Sequence, residues 1–175
     1  MKNIAWLIVM GVASLMMVSC DEPTPEPTSS LSFEERMERD VDSLRDILPQ
    51  RIDSLRAVHN NQELDFVEDT SGVFFVIYEE GTGALATDDD IAFVYYRGTL
   101  LNGITFDQNL NSLPFQFIVG ANGVISGWNM VVRHFREGTK GYAFIPSPLA
   151  YGTRARSGIP ANSILVFNME VVELR

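Results

Sequence analysis

The residue types that carry most redox and metal chemistry are scarce in this chain of 175 residues. The single cysteine is Cys20, and the only histidines are His59 and His134. One thiol cannot form an internal disulfide, and a multi-cysteine zinc or iron–sulfur site needs several thiolates. The sequence therefore predicts no metal site and no cofactor. It is rich instead in aromatic side chains, with 11 Phe, 5 Tyr and 2 Trp.

Charge divides the chain into two unlike parts, within a formal net charge of -10. Residues 21–90 hold 19 acidic residues and five arginines, whereas residues 91–175 hold four acidic and seven basic residues. Nucleic-acid binding is excluded as a function, because phosphate contacts need a concentrated basic surface. The asymmetry indicates two structural units, and the length suits one domain with a core plus an appendage.

The first segment has the pattern of a bacterial lipoprotein signal. Lys2 precedes an apolar run over residues 4–18, which is short for a membrane span and typical of a signal-peptide core. Small residues then stand before Cys20 as in a lipobox, although Met17 replaces the more usual Leu. This resemblance implies a signal peptide over residues 1–19 and a lipid on the cysteine sulfur. An ordinary secretory signal with an incidental cysteine is the alternative.

Residues 20–30 are predicted to be the acylated cysteine and a tether, because a Pro-rich, charged sequence (DEPTPEPTSS) resists compaction. Several acyl chains together anchor a protein stably in a membrane. We therefore expect an extracytoplasmic protein, lipid-anchored to a bacterial membrane. The outer membrane or the cell surface is expected ahead of the inner membrane.

Residues 31–66 are predicted to form a charged helical arm. Ser32 and Glu35 have the spacing of a capping box at a helix start. Pro49 is expected to interrupt this helix and to begin a second one. Two hypotheses stay open: an arm for homodimerisation or partner docking, and a helix that packs on its own domain or forms a solvated stalk. His59 is expected to be solvated. The apolar residues of the arm share one helix face: Met37, Val41, Leu44, Leu48, Ile52 and Leu55.

Residues 67–175 change to the pattern of short strands around one helix. Asn102-Gly103 is a hairpin turn signal between two of the strands. Trp128, Val131, Val132 and Phe135 follow helical spacing, which predicts one short amphipathic helix. Together these features favour an α+β fold with the helix on one sheet face. Strands are predicted over 71–83, 91–96, 115–117, 142–145 and 163–174, and Phe93, Phe117 and Phe144 are expected in the core.

Four blocks of this segment resemble the FKBP-type peptidyl-prolyl isomerases. They are VYYRGTLLNGITFD (94–107), PFQFIVGANGVISGW (114–128), IPSPLAYG (145–152) and IPANSILVFNMEVVEL (159–174), in the family order and nearly the family spacing. The resemblance implies an FKBP-like antiparallel curved β-sheet wrapped around one short α-helix, preceded here by the helical arm. The acidic arm also resembles the macrophage-infectivity-potentiator-like branch.

The resemblance also implies which residues form an apolar substrate pocket. Asp107 would lie beside the Tyr96 hydroxyl and interact with the polarised amide carbonyl carbon, without transferring a proton. The Tyr151 hydroxyl and the Ile125 N–H would bind substrate carbonyls. Trp128 would form the floor under the proline ring. The other substrate-binding residues implied are Phe106, Phe115, Val124, Ile159 and Phe167.

The chain departs from the family pattern in the loops around this pocket. The segment 108–113 (QNLNSL) is one residue shorter than in the best-known members and lacks their arginine. Gly123 stands where many members carry Glu or Gln. The loop 153–157 (TRARS) is short and brings two arginines, and Ala161 replaces a second proline. The resemblance therefore leaves open the residue preference and the affinity for FK506- or rapamycin-type macrolides.

The implied reaction is rotation of X–Pro bonds in proline-containing unfolded or exported polypeptides. The planar amide resists rotation with a barrier of about 18–20 kcal/mol. The twisted amide is less polar, so an apolar, water-poor pocket favours it and no nucleophile is needed. The apolar rim predicts an apolar residue before the proline. The rival hypotheses are an FKBP-fold binding or holdase chaperone with little turnover, and a lipoprotein that only scaffolds partners.

Overall fold

The computed structural model describes residues 31–175, and the predicted signal peptide, Cys20 and the tether lie outside this range. Within the described part, no helix is both long enough and apolar enough to cross a membrane. The elements in chain order are α1 (Phe33–His59), β1 (Val67–Glu68), β2 (Phe74–Glu79), β3 (Ile91–Leu100), β4 (Thr105–Gln108), β5 (Phe115–Ile118), α2 (Ser126–Val132), β6 (Lys140–Ile145), a 3₁₀ turn (Ser147–Leu149) and β7 (Leu165–Leu174).

The seven strands form one antiparallel sheet in the order β1-β2-β6-β7-β3-β4, with β5 also paired to β3. Strand β3 pairs with three other strands. Strand β7 pairs along nearly its whole length, while β5 pairs with its first half and β4 with its second half. The register sets Val94 opposite Phe115 and Gly98 opposite Asp107. Tyr96, midway between them on β3, therefore lies between an aromatic residue and a carboxylate from two different strands.

The two faces of the sheet are covered by different helices. Successive side chains of a strand point to opposite faces, and β6 and β7 follow this rule. On one face, Ala143, Ile145, Leu165 and Phe167 pack with α2 in the main core. On the other face, the alternate residues of the same strands pack with α1. These buried residues are Phe144 and Val166 from the sheet and Val41, Leu44 and Leu48 from α1.

Helix α1 is continuous, so the predicted break at Pro49 is wrong. The capping box at Ser32 and Glu35 is formed as expected, and the helix runs through the proline to His59. Proline removes one backbone donor, but Leu48 and Ile52 on either side of it are buried. Burial of these two side chains thus outweighs the local free-energy cost of placing proline inside the helix. The apolar face of α1 is occupied by its own sheet, which is the second of the two hypotheses for the arm.

Two aromatic environments differ from expectation. His59 is not solvated: its ring stacks on Tyr78 with centroids 3.9 Å apart and meets the edge of Tyr142 at 5.8 Å. Phe93 is only half-buried, and the guanidinium of Arg175 lies 4.9 Å from its ring centroid. Both side chains cover apolar surface at the edge of the domain. The other two phenylalanines predicted for the core, Phe117 and Phe144, are buried.

A buried carboxylate joins α1 to the loop that follows β6. Asp40 is 3% exposed, and its Oδ2 accepts the Ser147 N–H over 2.8 Å while its Oδ1 accepts Arg39 Nη2 over 2.6 Å. The Ser147 carbonyl in turn accepts the N–H of Gly152 over 2.8 Å. Gly152 directly follows Tyr151, so the arm is connected by hydrogen bonds to a predicted pocket residue.

Replacing Asp40 with Ala is expected to lower the free energy of unfolding by about 2–3 kcal/mol, because it leaves the buried Ser147 N–H without an acceptor. Urea denaturation measures this loss. The matched control is Asp42→Ala on the same helix, where the carboxylate is exposed and pairs only with Arg45. That control is expected to change stability by less than about 0.5 kcal/mol. Equal losses in the two variants would contradict the role given to Asp40.

Candidate active site

The Tyr96–Asp107 pair is the polar centre of the candidate site. The β3–β4 hairpin turns at Asn102-Gly103, where Gly103 has a φ of 86°. This register brings Asp107 back beside β3, and Tyr96 Oη donates a hydrogen bond to Asp107 Oδ2 over 2.6 Å. Burial, together with the adjacent carboxylate, raises the pKa of Tyr96 well above its usual value. The phenol therefore keeps its proton at neutral pH and holds the carboxylate in place as a donor.

Trp128 forms the centre of an aromatic cluster on the inner face of the sheet. Its ring is 4% exposed and meets Tyr96 at 5.0 Å, Phe167 at 5.3 Å and Phe115 at 5.8 Å, each in an edge-to-face arrangement. Such geometry is the preferred contact between aromatic quadrupoles. The preceding Gly127 lets α2 approach the sheet, since a Cβ there would lie 2.3 Å from an Ile145 methyl carbon. Close packing of α2 thus fixes the indole.

The side walls depend on a glycine that the sequence analysis did not single out. Phe106 and Phe167 pack edge to face with centroids 5.7 Å apart, over the buried Gly98 of β3. A Cβ at Gly98 would lie 2.6 Å from Phe106 and 2.9 Å from Phe167. Any larger residue would displace a wall of the pocket. Gly98 stands inside a strand pattern, and a glycine within a strand often marks a place where another group approaches closely. This signal in the sequence could have pointed to the pocket walls.

The rim combines residues from the start of α2 and from the loop before β7. Ile125 is the N-terminal flanking residue of α2, with extended backbone and no side-chain capping bond at this helix end. Val124 and Ile125 are half-buried, as is Tyr151. The guanidinium of Arg156 lies 5.4 Å from the Tyr151 ring centroid. The rim therefore combines two aliphatic side chains with a tyrosine ring that has a guanidinium beside it.

These side chains enclose a cavity of about 200 Å³. This volume is below the roughly 300–1,000 Å³ of sites for drug-sized ligands, so it suits a group of about one residue. The lining residues are Tyr96, Phe106, Asp107, Phe115, Gly123, Val124, Ile125, Trp128, Tyr151 and Phe167.

The structure thus brings together all the predicted pocket residues except Ile159. That side chain does not line the cavity; it is 6% exposed and belongs to the core. Its backbone pairs with that of Arg156 in a tight turn, and its side chain belongs to the same core cluster as Trp128 and Phe167. Gly123, noted in the sequence only as a departure, is an additional lining residue. The functional roles of the lining residues stay predictions.

Asn109 is a supporting residue that the sequence analysis missed. Its Oδ1 accepts the Tyr96 N–H over 2.7 Å, and its Nδ2 donates to the Val94 carbonyl over 3.0 Å. The amide replaces a missing strand partner where β4 ends and before β5 begins. The short segment 108–113 is therefore held against β3 by a side chain, and it fixes the backbone of the tyrosine beside the pocket.

The site offers one carboxylate, two phenols and several aromatic rings. Among residues 31–175, no group of three or more His, Cys, Asp or Glu side chains is placed to hold a metal ion. The arrangement instead provides an apolar enclosure with a fixed anionic edge at Asp107. Such a site can bind an uncharged, ring-shaped side chain. It can then act by electrostatics alone on the polar groups next to that side chain.

Comparisons with known proteins agree with this architecture. Residues 83–172 match the family described as FKBP-type peptidyl-prolyl cis-trans isomerase. "FK506-binding protein 4" of Neurospora crassa is 36% identical over 118 residues, which cover 67% of this chain and 25% of that protein. "FKBP-type peptidyl-prolyl cis-trans isomerase FkpA" of Escherichia coli K12 is 36% identical over 107 residues, 61% of this chain and 39% of that protein. The chain thus spans well under half of these relatives.

Solved structures give the same result. The crystal structure of FkpA from Escherichia coli superposes with a TM-score of 0.61 and 29% identity, covering 81% of this chain and 64% of that one. The crystal structure of AtFKBP13 gives 0.60 and 30%, covering 63% of this chain and 99% of that one. The family match extends over half of the chain and contains every lining residue of the cavity. The chain belongs to the FKBP-type peptidyl-prolyl cis-trans isomerase family.

Proposed function

We propose that this protein catalyses cis–trans rotation of X–Pro peptide bonds in unfolded or exported polypeptides. The observation that carries the proposal is the cavity over Trp128, walled by aromatic rings and edged by the Tyr96–Asp107 pair. The size of the cavity suits a proline ring. The family to which the chain belongs points to the same reaction. No covalent intermediate is required, because rotation breaks only amide resonance.

The pocket lowers the barrier by binding the twisted amide better than the planar one. Twisting removes resonance and makes the amide less polar, so the proline side fits an aromatic enclosure in which Trp128 is almost fully buried. Trp128 Nε1 is buried without a hydrogen-bond partner among the described residues. We assign the binding of the flanking carbonyls to the Ile125 N–H and the Tyr151 hydroxyl, because both residues line the cavity.

Asp107 acts through its charge. The carboxylate is exposed at the pocket edge, and Tyr96 fixes its orientation by a 2.6 Å hydrogen bond. A fixed anion near the carbonyl carbon stabilises the polarised amide as it turns, and no proton is transferred. Because the group is exposed, solvent screening keeps its contribution moderate.

The holdase alternative would use the apolar pocket together with the acidic arm. In the structure the central apolar residues of α1 are buried on the sheet, with Leu44 fully covered, whereas Phe33 and Val58 at its two ends are exposed. A homodimer through residues 31–66 would have to use the charged outer side of α1 and these two ends. We therefore favour the isomerase. We also propose a macrolide of the FK506 type as a ligand, of which only a ring-sized part would occupy this cavity of about 200 Å³.

We further propose that the protein is anchored by a lipid on Cys20, outside the cytoplasm of a bacterium and at the outer membrane or cell surface. The support is the sequence alone: an apolar run over residues 4–18, small residues before the only cysteine, and a Pro-rich tether after it. Such a tether would hold an isomerase within reach of newly exported chains.

A mutant cycle tests the mechanism at the pocket. Asp107→Ala is expected to lower kcat/KM for a Leu-Pro peptide about tenfold, or ~1.4 kcal/mol, and Tyr96→Phe by a smaller factor. The double variant should lose no more than Asp107→Ala, because both act through one hydrogen bond. Protease-coupled or NMR exchange assays measure the rates.

Tyr95→Phe is the matched control for this cycle. It removes a phenol from the neighbouring position of β3, which points to the other face of the sheet. Its kcat/KM is expected to equal that of the wild type. Losses that simply add in the double variant, or a loss in the control, would show that the Tyr96–Asp107 bond is not the active unit.

The anchor is tested by expressing the full chain with an alkyne fatty acid in a bacterial host. The wild type is expected to take up the label and to sediment with membranes, whereas Cys20→Ser is expected to do neither. Ser19→Ala, which keeps a small residue before the cysteine, should remain labelled. Label in the Cys20→Ser protein, or an unlabelled and freely soluble wild type, would overturn the lipid anchor.

A further inference from the structure

A polar groove continues from the proline cavity between the start of α2 and the loop 150–156. It has a volume of about 450 Å³ and shares Gly123, Val124, Ile125 and Tyr151 with the cavity. Any chain segment that leaves the cavity on this side must therefore enter it. We name it the arginine groove. Its remaining lining residues are Asn122, Ser126, Ala150, Arg154 and Arg156.

The two arginines give this groove an uncompensated positive charge. Both side chains are exposed, and neither forms an ion pair with a carboxylate of the described residues. Some arginines elsewhere, such as Arg45 and Arg133, are paired with acids. No acidic residue lines the groove, and Asp107 lines only the cavity. The groove thus carries two unpaired guanidinium groups beside the cavity, in a protein whose net charge is -10.

The backbone that carries the arginines is held in a defined conformation. The Arg154 N–H donates to the Tyr151 carbonyl over 3.1 Å. Arg156 and Ile159 exchange two backbone hydrogen bonds of 2.8 and 3.0 Å. The Arg156 guanidinium also lies over the Tyr151 ring at 5.4 Å, within the range of a cation–π contact. A pre-organised cation loses less entropy when it binds an anion.

We propose that the arginine groove binds an acidic side chain of the client polypeptide within a few residues of the isomerised proline. The proposal rests on the isomerase function and names a substrate class for it. A carboxylate is the complement of unpaired guanidinium groups, and the four residues shared with the cavity keep that carboxylate close to the proline. The groove selects clients that carry Asp or Glu near the proline, while the aromatic cavity accepts the ring.

A peptide series on the full-length protein tests the selection. The parent peptide has one Leu-Pro bond flanked by Gln, and Glu replaces Gln singly at each of the three positions on either side. The readout is the ratio of kcat/KM for each Glu peptide to that of the Gln parent. In at least one position we expect a ratio of about threefold or more, the effect of one or two exposed ion pairs. The ratio should fall toward one in high salt.

Charge variants of the groove provide the decisive comparison. In Arg154→Gln/Arg156→Gln the ratio at the selected position is expected to approach one, and in Arg154→Glu/Arg156→Glu it is expected to fall below one. The ratio cancels any change in the basal rate that the substitutions cause through Tyr151. The control is Arg45→Glu/Arg51→Glu on α1, which alters net charge equally on the opposite side of the sheet. That control should keep the wild-type ratio.

Ratios near one at all six positions in the wild type would overturn the proposal, as would a preference that survives in the Arg154→Glu/Arg156→Glu variant. Failure of the isomerase function is a different result, namely no acceleration of any peptide. In that case NMR titration with the same Glu and Gln peptides decides the groove. Tighter Glu binding with shifts at the Arg154 and Arg156 side-chain signals supports it, and equal binding refutes it.

Discussion

The position of one indole ring sets the geometry of the whole site. Trp128 is buried on α2 and is contacted edge-on by rings from three strands, with Tyr96 from β3, Phe115 from β5 and Phe167 from β7. Rings from three strands can contact one indole in this way only if the sheet curves around α2. Gly127 and Gly98 allow the two close approaches that this curvature needs. The cavity is therefore a consequence of how the core packs.

Helix α1 covers the outer face of the sheet and links that face to the site. Helix α1 packs apolar residues on the outer residues of β2, β6 and β7, and Asp40 accepts the N–H of Ser147 just beyond the end of β6. From there, one backbone hydrogen bond leads to the residue after Tyr151. The arm and the pocket rim thus form one hydrogen-bonded structure, although they differ strongly in charge.

Much of the fold and of the cavity follows from local sequence. The hairpin at Asn102-Gly103 and the helical spacing that begins at Trp128 are each encoded in a short window, and the structure has both elements, although α2 ends at Val132, before Phe135. The class of fold was predictable for the same reason, since alternation and helical spacing report which face of an element is buried.

The features that could not be predicted are those decided by distant contacts. Asp40 lies in a charged stretch of the sequence. Its burial goes with a hydrogen bond from the N–H of Ser147, which is 107 residues away along the chain. Pro49 carries a local helix-breaking tendency that burial of the flanking residues overrides. Ile159 fits the family block, yet its side chain belongs to the core cluster. Asn109 substitutes for a strand partner, which no pattern of side-chain polarity reveals.

The most direct measurement is an NMR exchange experiment on a Leu-Pro peptide with catalytic amounts of the protein. We expect cis–trans exchange cross-peaks that are absent without protein, together with nuclear Overhauser contacts between the proline ring protons and the Trp128 indole. A folded protein that binds the peptide elsewhere, or that contacts the indole but leaves the exchange rate at its uncatalysed value, would show that this pocket is not the catalytic site.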